Sequence, residues 1–225
     1  MCGRFTLILS PEDLAEYFGL AEVPSFGPRY NIAPSQEVAV VRVDEGKRRL
    51  VFLRWGLIPF WADDAKIGYK TINARAETVH KSPAFRAAFR NRRCVIPADS
   101  FYEWDHRAAT RQPYRIARAD GNPLAFAGLW EGWDEKDGKS VIESCTILTT
   151  ESSEPVASLH DRMPVILKSS EFDLWLDPEE KGVDLLKPIL YPIDPGTLTM
   201  YPVSTYVNKA TNEGERCIEQ AKKPG

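Results

Sequence analysis

Short β-rich segments separated by turn residues constrain the fold of this 225-residue chain more than any other feature of its sequence. Runs of Val, Ile, Thr and aromatic residues predict strands at residues 37–43, 49–54, 93–96, 100–104, 114–118, 124–130, 141–149 and 164–167. Turn signals lie between them at residues 44–46, 120–122 and 137–138. Because no helix of about 10–15 residues follows each strand, a parallel doubly wound sheet is disfavoured. The pattern predicts an α+β fold: a single β-rich domain over residues 1–225, with a barrel-like or split mixed sheet flanked by short helices.

Helix start signals are few, and the helices that they predict are short. Ser10 and Pro11 supply an N-cap and a proline in the first turn, and Gly19 ends the apolar run that follows. Similar helices are expected at Ser82-Pro83 and after Ser153, Ser170 and Asp177. The polar residues 212–225 are expected to fray.

The charge balance limits how this chain could contact nucleic acid. It has 29 Lys and Arg residues against 32 Asp and Glu residues, a net charge of −3, which argues against nucleic-acid binding over the whole surface. A local basic groove remains compatible with that balance. Residues 81–98 contain five basic residues and no acidic one, so this segment could attract phosphate on a protein that is acidic overall.

The cysteine and histidine residues indicate neither a disulfide framework nor a metal site. The four cysteines are far apart in the chain, no CxxC pair is present, and only three histidines could complete a metal site. The first residues do not resemble a secretory signal, and no segment is apolar enough to span a membrane. We therefore expect a soluble protein of the reducing cytoplasm, without metal or cofactor, whose cysteines are free thiols.

Cys2 is the residue whose position carries the most chemical information. Because initiator Met is normally removed when the second side chain is small, Cys2 would become the N-terminal residue. Its α-amine then titrates at about 7.7–8.0, far below a lysine, so a useful fraction is neutral at neutral pH. Such an amine condenses with an aldehyde to an imine, and the adjacent thiol can then close a thiazolidine ring. The alternative is that Cys2 is a small buried hydrophobic residue and nothing more.

Six motifs combine polar residues with aromatic residues and prolines, a composition typical of loops that converge on a cleft. They are MCGRF at residues 1–5, RYNIAP at 29–34, WGLIPFW at 55–61, INARAET at 72–78, CVIPADSFYEW at 94–104 and LHDRMPVIL at 159–167. In this order they resemble the SRAP (SOS response-associated peptidase) family over residues 1–167, and more weakly through residues 201–208. The resemblance implies one β-rich α+β domain that links its N-terminal cysteine covalently to abasic sites in single-stranded DNA.

Four residues match the catalytic positions of that family by motif. Cys2 matches the nucleophile, Asn73 the active-site amide, Glu103 the catalytic acid/base and His160 the histidine. Glu103 lies among aromatic residues, so we expect it to exchange protons near neutral pH and to activate the Cys2 amine. His160 would help to open the closed sugar hemiacetal, and Asn73 would hold the amine or the sugar by hydrogen bonds. Since the imine could also undergo β-elimination, AP-lyase activity is an expected side reaction.

Contacts to DNA are expected to involve its backbone and unstacked bases, not its sequence. Arg4, Arg75 and Arg162 are the candidates for phosphate contacts. The expected walls of the cleft near the lesion are Asn31, Pro34, Trp61 and Thr149. Trp61 either stacks on a base or fills the core, whereas Trp55 is expected in the core.

Other functions would use the same residues. A cysteine peptidase would use Cys2 as nucleophile and His160 as base, and could act on Met1 or on the crosslink. An N-terminal-nucleophile amidohydrolase would also place a cysteine after Met, but its layered fold needs longer alternating blocks of strands and helices. A protein with an inert core cysteine is the remaining alternative. The leading expectation is a monomeric sensor of abasic sites in single-stranded DNA, located in the cytoplasm and, in a bacterium, on the nucleoid.

Overall fold

The structure of this chain, a computed structural model, describes residues 2–105, 111–135 and 140–221. Within these residues the strands are β1 (Phe5–Leu7), β2 (Arg29–Ile32), β3 (Glu37–Asp44), β4 (Lys47–Trp55), β5 (Asn73–Arg75), β6 (Arg93–Ala98), β7 (Ser100–Asp105), β8 (Gln112–Arg118), β9 (Leu124–Asp134), β10 (Val141–Glu151), β11 (Arg162–Pro164) and β12 (Leu198–Pro202). The turn expected at residues 137–138 and the last four residues of the expected frayed tail lie outside the described part of the chain.

Strands β10, β4, β3, β6 and β9 form a closed five-stranded barrel, because β9 also pairs with β10. All of these pairs are antiparallel except β10 with β4. Two short strands extend the barrel from β10: β5 pairs with it in parallel and β11 in antiparallel orientation. A second sheet has the order β12-β8-β7-β1-β2. The predicted α+β fold with a barrel-like mixed sheet is confirmed.

The two sheets share one hydrophobic core. The ring of Phe5, on β1 of the second sheet, lies edge-on to two barrel residues, at centroid distances of 5.2 Å from Trp55 and 5.9 Å from Phe126. Phe101 on β7 contacts Phe126 in the same manner at 6.0 Å. Aromatic pairs in this geometry add roughly 0.5–1.5 kcal/mol each to the burial of their apolar area. These rings therefore tie the N-terminal strand to the wall of the barrel.

Among the described residues, four short α-helices flank the sheets: α1 (Pro11–Phe18), α2 (Arg86–Asn91), α3 (Phe172–Leu176) and α4 (Val183–Leu186). The signals predicted for α1 are confirmed, since Ser10 Oγ accepts from Asp13 N at 3.1 Å and Gly19 closes the helix at φ 65°. The helix predicted to begin at Ser82-Pro83 begins later in the chain, at Arg86. Ser82 O accepts from the amides of Phe85 and Arg86 in a turn, and α2 begins after it. The helix expected after Ser153 is a single 3-10 turn, Val156–Ser158.

Besides β1, three other segments that were expected as cleft loops or left unassigned are strands. Arg29–Ile32 and Asn73–Arg75 pair with β1 and β10, and Leu198–Pro202 pairs with β8. The strand expected at residues 164–167 is displaced to Arg162–Pro164, with one isolated bridge at Ile166. Strands of three to five residues are too short to show alternation, so their partners, not their own sequence, define them.

Residues 212–221, which were expected to fray, are packed against the second sheet. Asn212 Nδ2 donates to Tyr206 O at 2.7 Å, and Ala221 N donates to Pro202 O at 2.8 Å. Cys217 is fully buried in a small cluster with Tyr102 and Val203. Hydrogen bonds to its backbone hold this segment in place. Such bonds cannot be predicted from the polar composition of the segment.

Asp99, in the turn between β6 and β7, makes hydrogen bonds to the end of β1. Its backbone N donates to Thr6 O at 2.9 Å, and its carboxylate accepts from the backbone N of Ile8. Burial raises the pKa of this carboxyl to about 6. A carboxyl with a raised pKa binds its proton more tightly in the folded state than in the unfolded state. Its stabilising contribution is therefore complete below its ordinary pKa and is lost as the pH rises to about 6.

We expect the free energy of unfolding to fall by about 2–3 kcal/mol between about pH 4 and pH 6 because of Asp99 alone. In Asp99→Asn this fall in the free energy of unfolding between about pH 4 and pH 6 should disappear. The amide oxygen still accepts a hydrogen bond, but the side chain does not titrate. Urea unfolding at a series of pH values measures both slopes. Parallel pH profiles for the two proteins would contradict the assignment.

Candidate active site

Cys2 lies beside Glu103 because of the register between β1 and β7. Phe5 pairs with Phe101, and Tyr102 N donates to Arg4 O at 3.0 Å. The same antiparallel register, continued toward the N-terminus, places Gly3 opposite Glu103. Cys2 is fully buried, and Glu103 is 2% exposed. The start of the chain is thus fixed against a buried carboxyl by backbone pairing.

The Cys2 thiol is held as a neutral group. Its Sγ lies 3.8 Å from Arg4 O, a weak hydrogen bond. Burial raises the pKa of this thiol well above its usual range, and the negative charge of Glu103 raises it further. Because a reactive cysteine nucleophile needs its thiolate form near neutral pH, this environment does not activate sulfur as the first nucleophile.

Asn73 positions the backbone of Cys2 through its side-chain amide. It begins β5, where it pairs with Ile147 of β10. Its Nδ2 donates to Cys2 O at 2.9 Å. Its Oδ1 is buried and has no hydrogen-bond partner among the described residues. A buried polar atom without a partner costs free energy, so Oδ1 is an acceptor suited to a donor on a bound molecule.

Glu103 has the environment of a group that exchanges protons at neutral pH. Burial raises the pKa of its carboxyl, and the nearby carboxylate of Asp161 raises it further. Since Glu103 is on β7 and Asp161 directly precedes β11, this interaction brings the second sheet and the barrel extension to one place. A carboxyl with a raised pKa is able to act as general base or general acid.

His160 lies in the turn before β11, where two groups contact the same ring nitrogen. Its Nδ1 is 2.9 Å from the Arg162 backbone N and 2.8 Å from Asp161 Oδ1. In the neutral ring Nδ1 accepts the Arg162 amide proton, so the ring proton is on Nε2. In the protonated ring Nδ1 would instead donate to Asp161. The site therefore accommodates both protonation states of His160.

Arg75, Thr149 and Arg162 come together on adjacent strands. Thr149 of β10 pairs with Arg75 of β5, and its carbonyl accepts from Arg162 Nη2 at 2.6 Å. Arg162 also makes a bidentate ion pair with Glu77, at 2.7 and 2.9 Å. The Arg75 side chain is exposed, whereas Thr149 is fully buried. Two of the three arginines predicted to bind phosphate are thus joined through the backbone of Thr149, and one of them, Arg162, contacts His160.

Arg4 and Asn31 both make hydrogen bonds within the protein. Arg4 Nη1 donates to Asn31 Oδ1 at 2.7 Å and to Val207 O at 3.0 Å. The fully buried Asn31 Nδ2 donates to the carbonyls of Val207, Lys209 and Asn212. These two side chains therefore attach the C-terminal segment to β1 and β2.

Pro34 and the two tryptophans of WGLIPFW occupy different environments. Pro34 is half-buried in the turn that follows β2. Trp55 is fully buried and its Nε1 donates to Ile72 O at 2.8 Å, so its predicted core position is confirmed. Trp61 is 50% exposed, and its Nε1 donates to Pro83 O at 3.2 Å. An exposed indole held at its edge presents a ring face that a base could stack on.

The basic segment 81–98 is only partly available to phosphate. Arg93 is buried and donates to five backbone carbonyls, those of Phe89, Arg90, Trp175, Asp177 and Glu180. Arg92 pairs with Glu131 at 2.7 Å. The exposed cations of the segment are Lys81, Arg86 and Arg90. Two of the five basic residues in this segment therefore stabilise the fold, and the other three form a basic surface.

Two carboxylates of the site were not predicted. Glu77 orients Arg162, and Asp161 contacts His160 and interacts with Glu103. Both lie inside the motifs INARAET and LHDRMPVIL, so an acidic residue beside a candidate arginine or histidine was the available signal. In the described part of the chain no group of three or more His, Cys, Asp or Glu residues could hold a metal ion. None of its helices is long and apolar enough to cross a membrane.

Comparisons with known proteins cover almost the whole chain. Residues 1–210 match the family model described as SOS response associated peptidase (SRAP). Abasic site processing protein YoqW of Bacillus subtilis is 45% identical over 97% of this chain and 99% of its own length. Abasic site processing protein HMCES of Xenopus tropicalis is 33% identical over 97% of this chain and 78% of its own length. A crystal structure of a protein from Bacteroides thetaiotaomicron superposes with a TM-score of 0.87, at 24% identity, over 98% of this chain and all of that one.

Proposed function

Because this chain belongs to the SOS response associated peptidase (SRAP) family, we propose that it processes abasic sites in DNA by forming a covalent bond to the lesion through Cys2. The names of the bacterial and vertebrate relatives state abasic site processing. The observation that carries the chemical proposal is the hydrogen bond from Asn73 to the Cys2 carbonyl, which supports a fixed position for the Cys2 backbone beside Glu103.

The amine acts before the thiol in this proposal. Once Met1 is removed, the neutral α-amine of Cys2 attacks the aldehyde carbon of the opened sugar, and loss of water gives an imine. The thiol then adds across the C=N bond, so that sulfur bonds to carbon and the thiol proton ends on nitrogen. The raised pKa of the thiol supports this order, because sulfur reacts only after the imine is held next to it.

Glu103 and His160 move the protons that these steps require. The Glu103 carboxylate accepts a proton from the attacking amine and returns it to the departing water. As the closed sugar opens, the bond between its C1 and the ring oxygen breaks. Protonated His160 gives its Nε2 proton to the ring oxygen and keeps the Nδ1 proton toward Asp161, and the anomeric hydroxyl returns a proton to Nε2 as it becomes the aldehyde. The Asn73 Oδ1 acceptor would take a hydrogen bond from the amine or from a sugar hydroxyl. Asp161 would stabilise the His160 ring whenever it is protonated.

A cysteine peptidase is less well supported by the same geometry. A peptidase of that kind needs a thiolate whose pKa is lowered by a neighbouring imidazole or other cation. Here burial and the Glu103 charge raise the pKa of the Cys2 thiol. The thiol suits addition to a bound imine better than attack on a peptide carbonyl.

A denaturing gel tests the proposed function directly. Mass measurement first establishes that Met1 is absent from the protein. The protein is then incubated with a labelled single strand carrying one abasic site, with an intact strand of equal length as the control. We expect a slower band only with the abasic strand. If the protein without Met1 gives no such band, the proposal fails.

We also propose that the protein prefers single-stranded DNA, is a monomer without a resident metal ion, and is located in the cytoplasm. Single strands spare the protein the cost of unpairing and extruding a nucleotide from a duplex. Comparing capture of an abasic site in a single strand and in a matched duplex measures the first of these. Lyase activity would be visible on the same gel as strand cleavage.

A further inference from the structure

A cavity of about 350 Å³ lies beside the candidate active site and has no role in the chemistry described above. It is lined by Ala76, Glu77, Thr150, Glu151, Lys187, Leu190, Tyr191 and Pro192. The Tyr191 side chain is 67% exposed, an unusual position for a large aromatic residue. The volume is in the lower part of the range that small-molecule sites span.

One side chain connects this cavity to the active site. Glu77 lines the cavity and makes the bidentate ion pair with Arg162. The backbone N of Arg162 in turn donates to His160 Nδ1 at 2.9 Å. The cavity is therefore linked to the His160 ring through two residues in contact, Glu77 and Arg162.

The charges around the cavity fit a nucleotide. Burial lowers the pKa of the His80 ring, and the ammonium groups of Lys187, at the edge of the cavity, and Lys81 lower it further, so both lysines lie near this ring. These cations come from two separate segments and favour a phosphate at the rim. Inside, Glu77 is already paired with Arg162, whereas Glu151 is exposed and has no ion pair within the described ranges. A free carboxylate accepts hydrogen bonds from an exocyclic amine of a base.

We propose that this cavity binds the base of a nucleotide flanking the lesion in the same DNA strand, with its face on Tyr191 and its amine on Glu151. The inference rests on the proposed function, because the strand is placed by the abasic site at Cys2. It also implies a preference that the active site itself does not create: a flanking base with an exocyclic amine should bind better than thymine. Cytosine and thymine make a matched pair, since they differ mainly at the amine.

The test uses single strands that contain a tetrahydrofuran ring in place of the abasic sugar, so that no covalent bond can form. One strand has thymine on both sides of the ring, and two others have cytosine on the 5′ side or on the 3′ side. Fluorescence anisotropy measures the affinity of the full chain for each. We expect one cytosine strand to bind about fivefold more tightly than the thymine strand, which corresponds to a single good base contact.

Two variants test whether the affinity and the cytosine preference come from the cavity. Tyr191→Ala should weaken binding of every strand about tenfold, because a stacked base is lost. Glu151→Gln should keep most of the affinity and lose the preference for cytosine, since the amide can also donate to the thymine carbonyl. Leu185→Ala, at another exposed apolar side chain of the same segment, should bind all strands as the unmodified protein does.

The outcomes separate this inference from the proposed function. If the protein traps a true abasic site but Tyr191→Ala binds like the unmodified chain, the cavity assignment is overturned and the function stands. If trapping fails but the cytosine preference persists and is lost in Glu151→Gln, the function fails and the cavity remains a base site. A lysine-rich peptide is the competing occupant. Peptide binding that is lost in Glu151→Gln, with DNA affinity unchanged in both variants, would overturn the proposal.

Discussion

Replacing Cys2 by alanine is expected to abolish the stable adduct with abasic DNA. The N-terminal amine remains in Cys2→Ala, so an imine still forms, but no thiol is present to close the ring. The imine is reversible and is lost on a denaturing gel unless borohydride reduces it. We therefore expect no band without borohydride and a band with it, and more strand cleavage because the unprotected imine can undergo β-elimination.

Cys217→Ala is the matched control for this experiment. Cys217 is also a fully buried free thiol, but it lies in the cluster beneath the C-terminal segment. Its variant should form the adduct in the same yield as the unmodified protein. A stable adduct in Cys2→Ala, in comparable yield and without borohydride, would mean that the thiol takes no part in the bond.

Glu103→Gln is expected to slow adduct formation by about 10²–10³-fold, because the amide cannot accept the proton of the attacking amine. The pH profile gives the sharper result. Burial raises the pKa of Glu103, so in the unmodified protein the rate should fall as the pH decreases through a pKa above the ordinary range of glutamate. The variant should lack this acidic limb and keep the limb due to the amine. Single-turnover rates across the pH range measure both.

Glu131→Gln tests whether any buried glutamate would give the same effect. Glu131 is 4% exposed, burial raises the pKa of its carboxyl, and it pairs with Arg92 on the other side of the barrel wall. Its substitution should lower stability and leave the rate constant of the folded protein unchanged. Protonation of the amine lowers the rate on the same side of the profile, so Glu103→Gln should keep one acidic limb where the unmodified protein has two. Two acidic limbs in Glu103→Gln would assign the proton transfer to another group.

The long strands and the chemistry of Cys2 could be predicted from the sequence, because both depend on local information. Strands β9 and β10 are long enough to show their pattern, and a cysteine after Met carries its chemistry with it. The roles of Arg4 and Asn31 could not be predicted in this way. Their partners near residue 207 are about 200 and 176 positions away in the chain, and nothing local distinguishes an arginine held by carbonyls from one that binds phosphate.

Two further residues show that residue type alone does not predict whether a side chain is buried or faces a ligand. Thr149 is a polar residue of the kind expected in a cleft, but it lies in the continuous buried stretch of β10, residues 144–150. Only its carbonyl contacts Arg162. Arg93 belongs to a basic run, yet the carbonyls that surround it come from α2, from α3 and from the segment that follows α3. Three-dimensional partners decide both cases, since each side chain alone is compatible with either role.

The attachment of the C-terminal segment to Arg4 and Asn31 has a consequence for the order of events during synthesis. At about 5–20 residues per second, residue 207 follows residue 2 by roughly 10–40 s. During that interval the first strand lacks the carbonyls of the C-terminal segment, and in the first part of it β7 has not yet been synthesised. An aminopeptidase that removes Met1 would therefore meet an open chain end on the ribosome. The nascent chain supplies a time window for maturation that the finished fold, with Cys2 fully buried, closes.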